Sequence, residues 1–350
     1  MKRNILVLWT VLACVGLVGL VGIMAVVPKP PDSAPEPGIL DRGGHRISGP
    51  YTHKNLAIYL IHGREAAAGK DYVTLQEAME KGQVVIHETG DVNELAIENR
   101  SGGEVFVQAG DIVKGGQQDR VLAIDLVVPP QSGRIPISSF CVEQGRWRQR
   151  GAESTSEFKS ADYSLNDKAL KLAAKLDKEQ GEVWGKVAQN QAKLESSVPG
   201  FSLGVDSPSS LQLTLENKEL QTAIDEYIAA FRRLIEDKAD VVGFAFAING
   251  GVNSADLYAS GPLFRKLWTK LLHASAAEAV AERGSPRASD PAPTLSAVRD
   301  LVWDAQLGEA RIRALPGSKV KESVRESQQA ASIESLDADG SMIHRNALKK

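Results

Sequence analysis

The chain has 350 residues, of which 43% are hydrophobic and 24% charged, so a wholly disordered chain is excluded. Its 41 basic and 44 acidic residues leave a net charge of −3. We therefore expect no nucleic-acid partner held by a net basic field. With only two cysteines, a disulfide scaffold and a cysteine-rich metal site are also excluded.

The N-terminus predicts a membrane anchor. Residues 5–27 are an uncharged apolar run of 23 residues, long enough to cross a hydrocarbon core of about 30 Å as a helix. Lys2 and Arg3 precede this run, and the positive-inside rule keeps them in the cytoplasm. We therefore expect residues 1–27 to be a transmembrane signal-anchor of a single-pass membrane protein whose domain is extracytoplasmic. A cleaved signal peptide and lipoprotein processing at Cys14 are the alternatives.

The next segment, residues 28–50, contains five prolines in its first ten positions and four glycines further on. This composition predicts a linker that has no packed core of its own. We assign residues 51–350 to a single globular domain.

The first part of that domain predicts a sheet. Short β-like runs recur at roughly ten-residue spacing, with turn residues between them, as in antiparallel sheets and sandwiches. The runs are residues 56–61, 84–87, 95–98, 105–108, 121–128 and 135–143. Thr74 and Glu77 have the spacing of a capping box, which predicts a short helix over residues 75–80.

The second part predicts helices between further strands. Apolar residues at helical spacing over 165–194 and 220–235 indicate amphipathic helices that face a core. The first segment is one long helix or a helix pair, with Gly181 as a weak point. Strands at 241–248 and 252–258 flank an Asn-Gly-Gly turn, and a last hairpin is expected over 333–344. The predicted fold class is α+β, with an N-terminal transmembrane helix followed by a mainly antiparallel β-sheet or sandwich with packed amphipathic helices.

Two common nucleotide-binding signatures are absent from the sequence. It contains no Walker loop and no Gly-x-Gly-x-x-Gly fingerprint. None of the six histidines has the spacing of a helical zinc pair. We expect no sequence-local metal site, and no particular cofactor is indicated, so two polar segments remain as candidate sites.

The first candidate segment is residues 110–120. Adjacent glycines let backbone N–H groups approach a ligand closely, as in anion-binding nests, and an arginine can hold a phosphate or carboxylate with two parallel hydrogen bonds. The candidate site residues here are Lys114, Gly115, Gly116, Gln117, Gln118, Asp119 and Arg120. The structural alternative is a glycine-rich hairpin in which Asp119 and Arg120 pair with each other or with neighbours.

The second candidate segment is residues 141–147, at the end of a predicted strand. Cys141 and Glu143 share a strand face, and a neighbouring carboxylate raises a thiol pKa, which argues against a cysteine nucleophile. The functional interpretation has Glu143 as a base or ligand contact, Arg146 as an anion clamp and Trp147 as a stacking surface. The structural interpretation has a buried cysteine, a Glu143–Arg146 ion pair and a core tryptophan.

Several stretches of this chain resemble the ARG and rhodanese-phosphatase-superfamily-associated protein domain family. They are residues 92–95, 110–120, 141–147, 243–250, 255–258 and 343–345. The resemblance covers most of residues 51–350 and implies that the later helices and strands belong to the same domain as the first sheet. It also implies that the two candidate segments form one site. The family name records an association with ADP-ribosylglycohydrolases and phosphatases, which implies a link to ADP-ribose or related phosphorylated ligands.

Three functions fit these residues. The first is a membrane-tethered module that binds a small anionic ligand, phosphorylated or nucleotide-like, through residues 110–120 and 141–147. The second is a hydrolase for such a ligand, with Glu143 or Asp119 as general base for an activated water. The third is a structural or protein-interaction domain in which the same charges form a buried network. We prefer the first because the sequence shows ligand-holding groups more clearly than reacting groups.

Overall fold

The computed structural model describes residues 38–40, 43–64, 70–204 and 207–350. In chain order, the strands are β1 Ile39–Leu40, β2 Arg46–His53, β3 Leu56–His62, β4 Val73–Thr74, β5 Val84–Glu88, β6 Glu94–Asn99, β7 Val105–Val107, β8 Asp111–Gly115, β9 Arg120–Leu122, β10 Leu126–Val128, β11 Arg134–Cys141, β12 Phe158–Ser164, β13 Val241–Ile248, β14 Gly251–Tyr258, β15 Arg311–Ala314, β16 Lys321–Glu326, β17 Ala330–Leu336 and β18 Met342–Lys349. The helices are α1 Leu75–Glu80, α2 Lys168–Leu172, α3 Gln180–Ser197, α4 Leu211–Leu215, α5 Lys218–Phe231, α6 Gly261–Ala281 and α7 Leu295–Asp304. A π-helical turn, Ala173–Asp177, follows α2 directly.

The strands form three sheets. The largest has nine strands in the order β1-β2-β3-β13-β14-β18-β17-β16-β15, and every neighbouring pair is antiparallel. The second, β12-β8-β9-β11-β6-β5, is also antiparallel throughout. The third is β10-β7-β4, in which β4 and β7 run parallel. Antiparallel pairing therefore dominates the domain.

The nine-stranded sheet is buried on both faces at its centre. In β3, Leu56, Ile58 and Leu60 belong to the main hydrophobic core, which includes the apolar side chains of α6. The alternate residues Tyr59 and Ile61 belong to a second core, formed with α7. Successive strand residues point to opposite faces, so a strand covered on both faces reads as an unbroken apolar run, as the all-buried β13 also does.

Several predicted elements are confirmed. The predicted strand over 56–61 lies in β3, the Asn-Gly-Gly turn joins β13 to β14, and the last hairpin is β17–β18. The capping box of α1 is also present, because Thr74 Oγ1 accepts from the Glu77 N–H at 3.3 Å and the Thr74 N–H donates to Glu77 Oε2 at 2.9 Å. These elements depend on local chemistry that a sequence displays directly.

Two predicted elements are interrupted in the structure. The strand predicted over 121–128 divides into β9 and β10, because Asp125 between them leaves the ladder and accepts a hydrogen bond from the Ala109 N–H at 2.7 Å. Of the two alternatives predicted over 165–194, the structure has the helix pair: the chain divides at Lys178, whose φ of 56° is a left-handed conformation that ends the π-helical turn. The first interruption places the Asp125 carboxylate in the buried interior.

The predicted fold class is wrong. The described chain consists mostly of antiparallel β-sheets with a few helices, because strands of low apolar content such as β2, β12 and β16 complete the sheets through tertiary pairing. Within those described ranges, no helix is both long enough and apolar enough to cross a membrane. The signal-anchor predicted for residues 1–27 lies outside the described residues, and β1 and part of β2 fall within the predicted linker of residues 28–50.

Candidate functional site

Strands β9 and β11 bring the two candidate segments together. They pair antiparallel, with Arg120 opposite Cys141. Just beyond the paired residues, the backbone N–H of Asp119 donates to Glu143 Oε2 at 3.0 Å, and the Gln118 side-chain amide donates to the Glu143 carbonyl at 2.7 Å. The two segments therefore meet in space and share hydrogen bonds.

Two fully buried carboxylates, Asp119 and Glu143, lie at the centre of this meeting point. Arg150 donates to Asp119 at 2.7 and 3.1 Å and to Glu143 Oε1 at 3.2 Å. Arg146 Nη2 lies 2.6 Å from Glu143 Oε2 and 3.5 Å from Asp119 Oδ1. We call these four residues the arginine–carboxylate network, and each carboxylate in it contacts both arginines by charge-assisted hydrogen bonds.

The hydrogen bonds of Asp119 bear on its predicted role as a general base. Oδ1 accepts from the Gly115 N–H at 3.1 Å, and Oδ2 accepts from the Ser210 hydroxyl at 3.0 Å. Burial raises the pKa of Asp119 and the nearby Glu143 charge acts in the same direction, whereas the hydrogen bonds and charge of Arg150 act against both. Both oxygens of Asp119 therefore already accept hydrogen bonds from the protein itself. The assignment of Asp119 and Glu143 as catalytic bases stays a prediction.

The glycine turn that was predicted to bind an anion donates to groups of the chain itself. The Gly115 N–H donates to the Asp119 carboxylate, and the Gly116 N–H donates to a backbone carbonyl at 2.9 Å. The Gln117 N–H donates to Glu88 Oε2 at 3.2 Å. Two carboxylates of the protein therefore take the place that a nest offers to a bound anion.

Arg120 is fully buried among side chains of the same two segments. Its Nη1 contacts Cys141 Sγ and lies 3.4 Å from Gln118 Oε1, and its Nη2 lies 3.4 Å from Glu88 Oε1. The guanidinium carbon lies 5.6 Å from the ring centre of Trp147, whose own surface is 48% exposed. Burial raises the pKa of the Cys141 thiol to about 11, so this thiol is protonated at neutral pH.

One predicted site residue lies away from this cluster, and three residues that the sequence analysis did not single out belong to it. Lys114 lies apart from the network, because its Nζ donates to Glu216 at 2.7 Å. Arg150, Glu88 and Ser210 contribute to the cluster without having been singled out. Arg150 follows the second segment closely enough for proximity to have been a signal, whereas Glu88 and Ser210 come from distant parts of the chain.

A second cluster of polar residues lines a cavity between α6, the π-helical turn and β14. The volume open to the centres of water molecules is about 20 Å³, which is room for one or two waters. Lys270 and Asp111 form an ion pair there at 2.7 Å. We call this the lysine-lined cavity, and its polar lining includes Gln108, Asp111, Lys171, Lys175, Asp256, Lys270, Ser275 and Asn346.

His344 is buried beside the cavity between two carboxylates. Its Nδ1 lies 2.7 Å from Asp125 Oδ2, and its Nε2 lies 3.0 Å from Asp256 Oδ1. Burial alone would lower the pKa of His344, but the charges and hydrogen bonds of the two carboxylates raise it to about 9. The same interactions outweigh the effect of burial on Asp125 and hold its pKa at about 2. At neutral pH the imidazolium therefore balances part of the negative charge of both acids.

Lys175 and Lys171 differ from Lys270 in their partners. Lys175 is buried, and its Nζ donates to the neutral amide oxygen of Asn346 at 3.0 Å. The Lys171 ammonium lies 5.6 Å from the ring centre of Phe246. Within the ranges that the structure describes, neither ammonium has a carboxylate oxygen within 4 Å. Burial lowers the pKa of Lys175, as expected for a charge that lacks a close counter-ion.

The sequence did not single out these lysines. They fall in the helix predicted over 165–194 at a spacing of four residues, which is typical of a solvated helix face. Lys175 instead lies in the π-helical turn, a distortion that is frequent at functional sites. The available signal was the family resemblance, since Asp111, Asp256 and His344 come from three of the stretches that carry it.

These features define the class of protein: a β-rich domain that encloses both an arginine–carboxylate network and a lysine-lined cavity. In the described ranges, no group of three or more histidine, cysteine or acidic side chains is arranged to hold a metal ion. The family model for the ARG and Rhodanese-Phosphatase-superfamily-associated Protein domain matches residues 44–348, so the chain belongs to that family and the predicted resemblance is confirmed.

Comparison with other proteins adds little to this assignment. No curated protein matches the sequence. Among solved structures, the dehydratase domain from the CurK module of Curacin polyketide synthase is 9% identical over 85% of this chain and 91% of that chain. The TM-score of 0.14 for this pair is too low to support an argument about fold or function.

Proposed function

We propose that this domain binds one or two oxygens of the anionic head group of a small ligand, a carboxylate or phosphate, in the lysine-lined cavity. The observation that carries the proposal is the pair of ammonium groups on Lys171 and Lys175, which line one cavity and have no ion-pair partner among the described residues. An anion would supply the opposite charge in a poorly hydrated place, where charge-assisted hydrogen bonds are strong.

The balance of charge around the cavity supports an anion rather than a cation. The positive groups are Lys171, Lys175, Lys270 and His344, and the carboxylates are Asp111, Asp125 and Asp256. With every lysine protonated, these seven groups carry a net charge of +1, and the charges of Glu278 and Glu322 act on Lys171 and Lys175 from outside the cavity. The small volume of the cavity limits the enclosed part to one or two oxygens of the head group, with the rest of the ligand lying outside.

In this proposal the arginine–carboxylate network supports the site instead of contacting the ligand. Residues 110–120 link the two clusters, because Asp111 begins β8 and pairs with Lys270 while Asp119 contacts Arg150. The proposed ligand is still a small anion, as expected from the sequence, but its proposed binding site is the lysine-lined cavity instead of residues 110–120 and 141–147. Binding through Arg120 and Arg146 is the competing prediction, and the same experiment separates the two.

The test is calorimetric titration of the protein with inorganic phosphate, acetate and ADP-ribose. Lys175→Met replaces the buried ammonium group by an uncharged side chain of similar shape, so the variant should fold. Lys159→Met on the exposed surface of β12 is the matched control. We expect at least one anion to bind the protein and Lys159→Met equally. Lys175→Met should lose at least tenfold in affinity, about 1.4 kcal/mol.

Two results would contradict the proposal. One is that none of these anions binds the folded protein. The other is that Lys175→Met binds with unchanged affinity while Arg120→Lys, shown to be folded by circular dichroism, does not bind.

A further inference from the structure

A separate cleft lies beside the N-terminal end of α2, and we call it the α2 cleft. Its volume is about 320 Å³, which is within the range of small-molecule sites. Helices α2, α3 and α6 and the turn between β13 and β14 contribute its walls. The polar residues that line it include Asp167, Lys168, Lys193, Asn249, Asn253, Glu278, Glu282 and Arg287.

Two oxygens in this lining have no hydrogen-bond partner among the described residues. Glu278 and Asn253 are 5% and 7% exposed. The Asn253 amide and the Lys168 backbone N–H both donate to Glu278 Oε1, at 2.8 and 3.0 Å. Glu278 Oε2 and Asn253 Oδ1 remain without a donor. Buried polar atoms without partners are uncommon in folded proteins, so these two point to a missing partner.

The chemistry of that partner follows from the two atoms and from the neighbouring charges. With Glu278 ionised, both atoms are hydrogen-bond acceptors, so the partner must donate. The other acids of the cleft are already paired, since Lys193 Nζ lies 2.7 Å from Glu282 and 3.2 Å from Asp167. The carboxylate of Glu278 has no ion pair within 4 Å in the described part of the chain. A group with several N–H donors and a positive charge satisfies every requirement.

We propose that the α2 cleft binds the primary ammonium group of a small amine, with Glu278 and Asn253 as its acceptors. A metal ion is a poorer occupant, because one carboxylate and one amide oxygen fall short of the six to eight oxygen ligands that calcium takes. The ligand charge is opposite to that of the anion proposed for the lysine-lined cavity and the contacting residues differ, although the charge of Lys171 acts on Glu278.

The probe is butylammonium, titrated into the full-length protein at pH 8 by calorimetry. This pH lies above the value of about 7 to which burial raises the pKa of Glu278, so the carboxylate is ionised, and the amine stays protonated as lysine does. Tetramethylammonium carries the same charge without N–H donors, and butanol carries the chain without the charge. We expect butylammonium to bind at least tenfold more tightly than either.

Variants then test the two acceptors. Glu278→Gln replaces a buried carboxylate by a neutral side chain of the same shape, and Glu309→Gln on the exposed surface is the matched control. We expect Glu278→Gln to weaken butylammonium binding at least tenfold and Glu309→Gln to leave it unchanged, while Asn253→Ala provides a second, neutral test of the site. The absence of binding heat with butylammonium would mean that the two acceptors are satisfied by water, and it would overturn the proposal. Equal binding of tetramethylammonium, or unchanged binding by Glu278→Gln and Asn253→Ala, would also overturn it.

Discussion

The substitution Glu143→Gln tests whether the arginine–carboxylate network holds the domain together. Glu143 is fully buried, with Arg146 at 2.6 Å and Arg150 at 3.2 Å from its two oxygens. A glutamine of the same shape must place its NH₂ group against one of these guanidinium groups. Of the two fully buried carboxylates of the network, Asp119 alone then faces both arginines. Breaking a buried charge pair in this way costs about 3–5 kcal/mol.

The matched control is Glu153→Gln. The Glu153 side chain is 30% exposed and contacts Arg150 at 2.9 Å, and pairs exposed to solvent contribute about 0–1 kcal/mol. Urea denaturation followed by circular dichroism gives both free energies of unfolding. We expect Glu143→Gln to lose at least 2 kcal/mol more than Glu153→Gln, from the difference of these ranges. Equal losses, or a loss below about 1 kcal/mol for Glu143→Gln, would refute the structural role.

Three further predictions concern single residues. Gly116 and Gly133 both have positive φ, but a Cβ at Gly116 would lie 2.3 Å from the Phe158 ring, whereas one at Gly133 meets nothing within 4 Å. Gly116→Ala should therefore lower the free energy of unfolding by about 1–3 kcal/mol more than Gly133→Ala, as measured by urea denaturation. Equal losses would contradict this packing argument. Because folding raises the pKa of His344 from 6.5 to about 9, its protonated form stabilises the fold fully below pH 6.5. The free energy of unfolding should fall by about 3 kcal/mol as the pH rises to 9, and a His344→Gln protein that shows the same fall would exclude this cause. Because the pKa of the Cys141 thiol is raised to about 11, Cys141 should resist iodoacetamide at pH 8 in the folded protein and react with it in urea. Mass spectrometry of the peptide that contains Cys141 measures both reactions. Rapid labelling in the folded state would contradict the burial of this thiol.

The sequence allowed the prediction of elements whose cause is local. The Asn-Gly-Gly turn requires left-handed backbone, which Asn249 and Gly250 adopt with φ of 52° and 74°, and Thr74 and Glu77 form their capping box through side chains three residues apart. Strands of low apolar content were missed, because β2 and β16 are held by their neighbours in the nine-stranded sheet and not by an alternating pattern of their own.

The same distinction applies to the candidate sites. The two polar segments were recognised because their unusual residues are contiguous, and their meeting follows from the pairing of β9 with β11. Whether an arginine faces a ligand or a carboxylate of the chain depends on distant residues such as Glu88 and Ser210. The lysine-lined cavity was not predicted, since Lys175 becomes a buried charge only when the π-helical turn packs near β14 and β18.

The most direct test of the proposed function is to locate a bound anion. Bromide is small enough for the lysine-lined cavity and has a strong anomalous signal, so crystals equilibrated with it would show its position in an anomalous difference map. We predict a peak in contact with the ammonium groups of Lys171 and Lys175, absent from crystals of Lys175→Met. A map with bromide at the Gly115–Arg120 turn and none beside the two lysines would contradict the proposal.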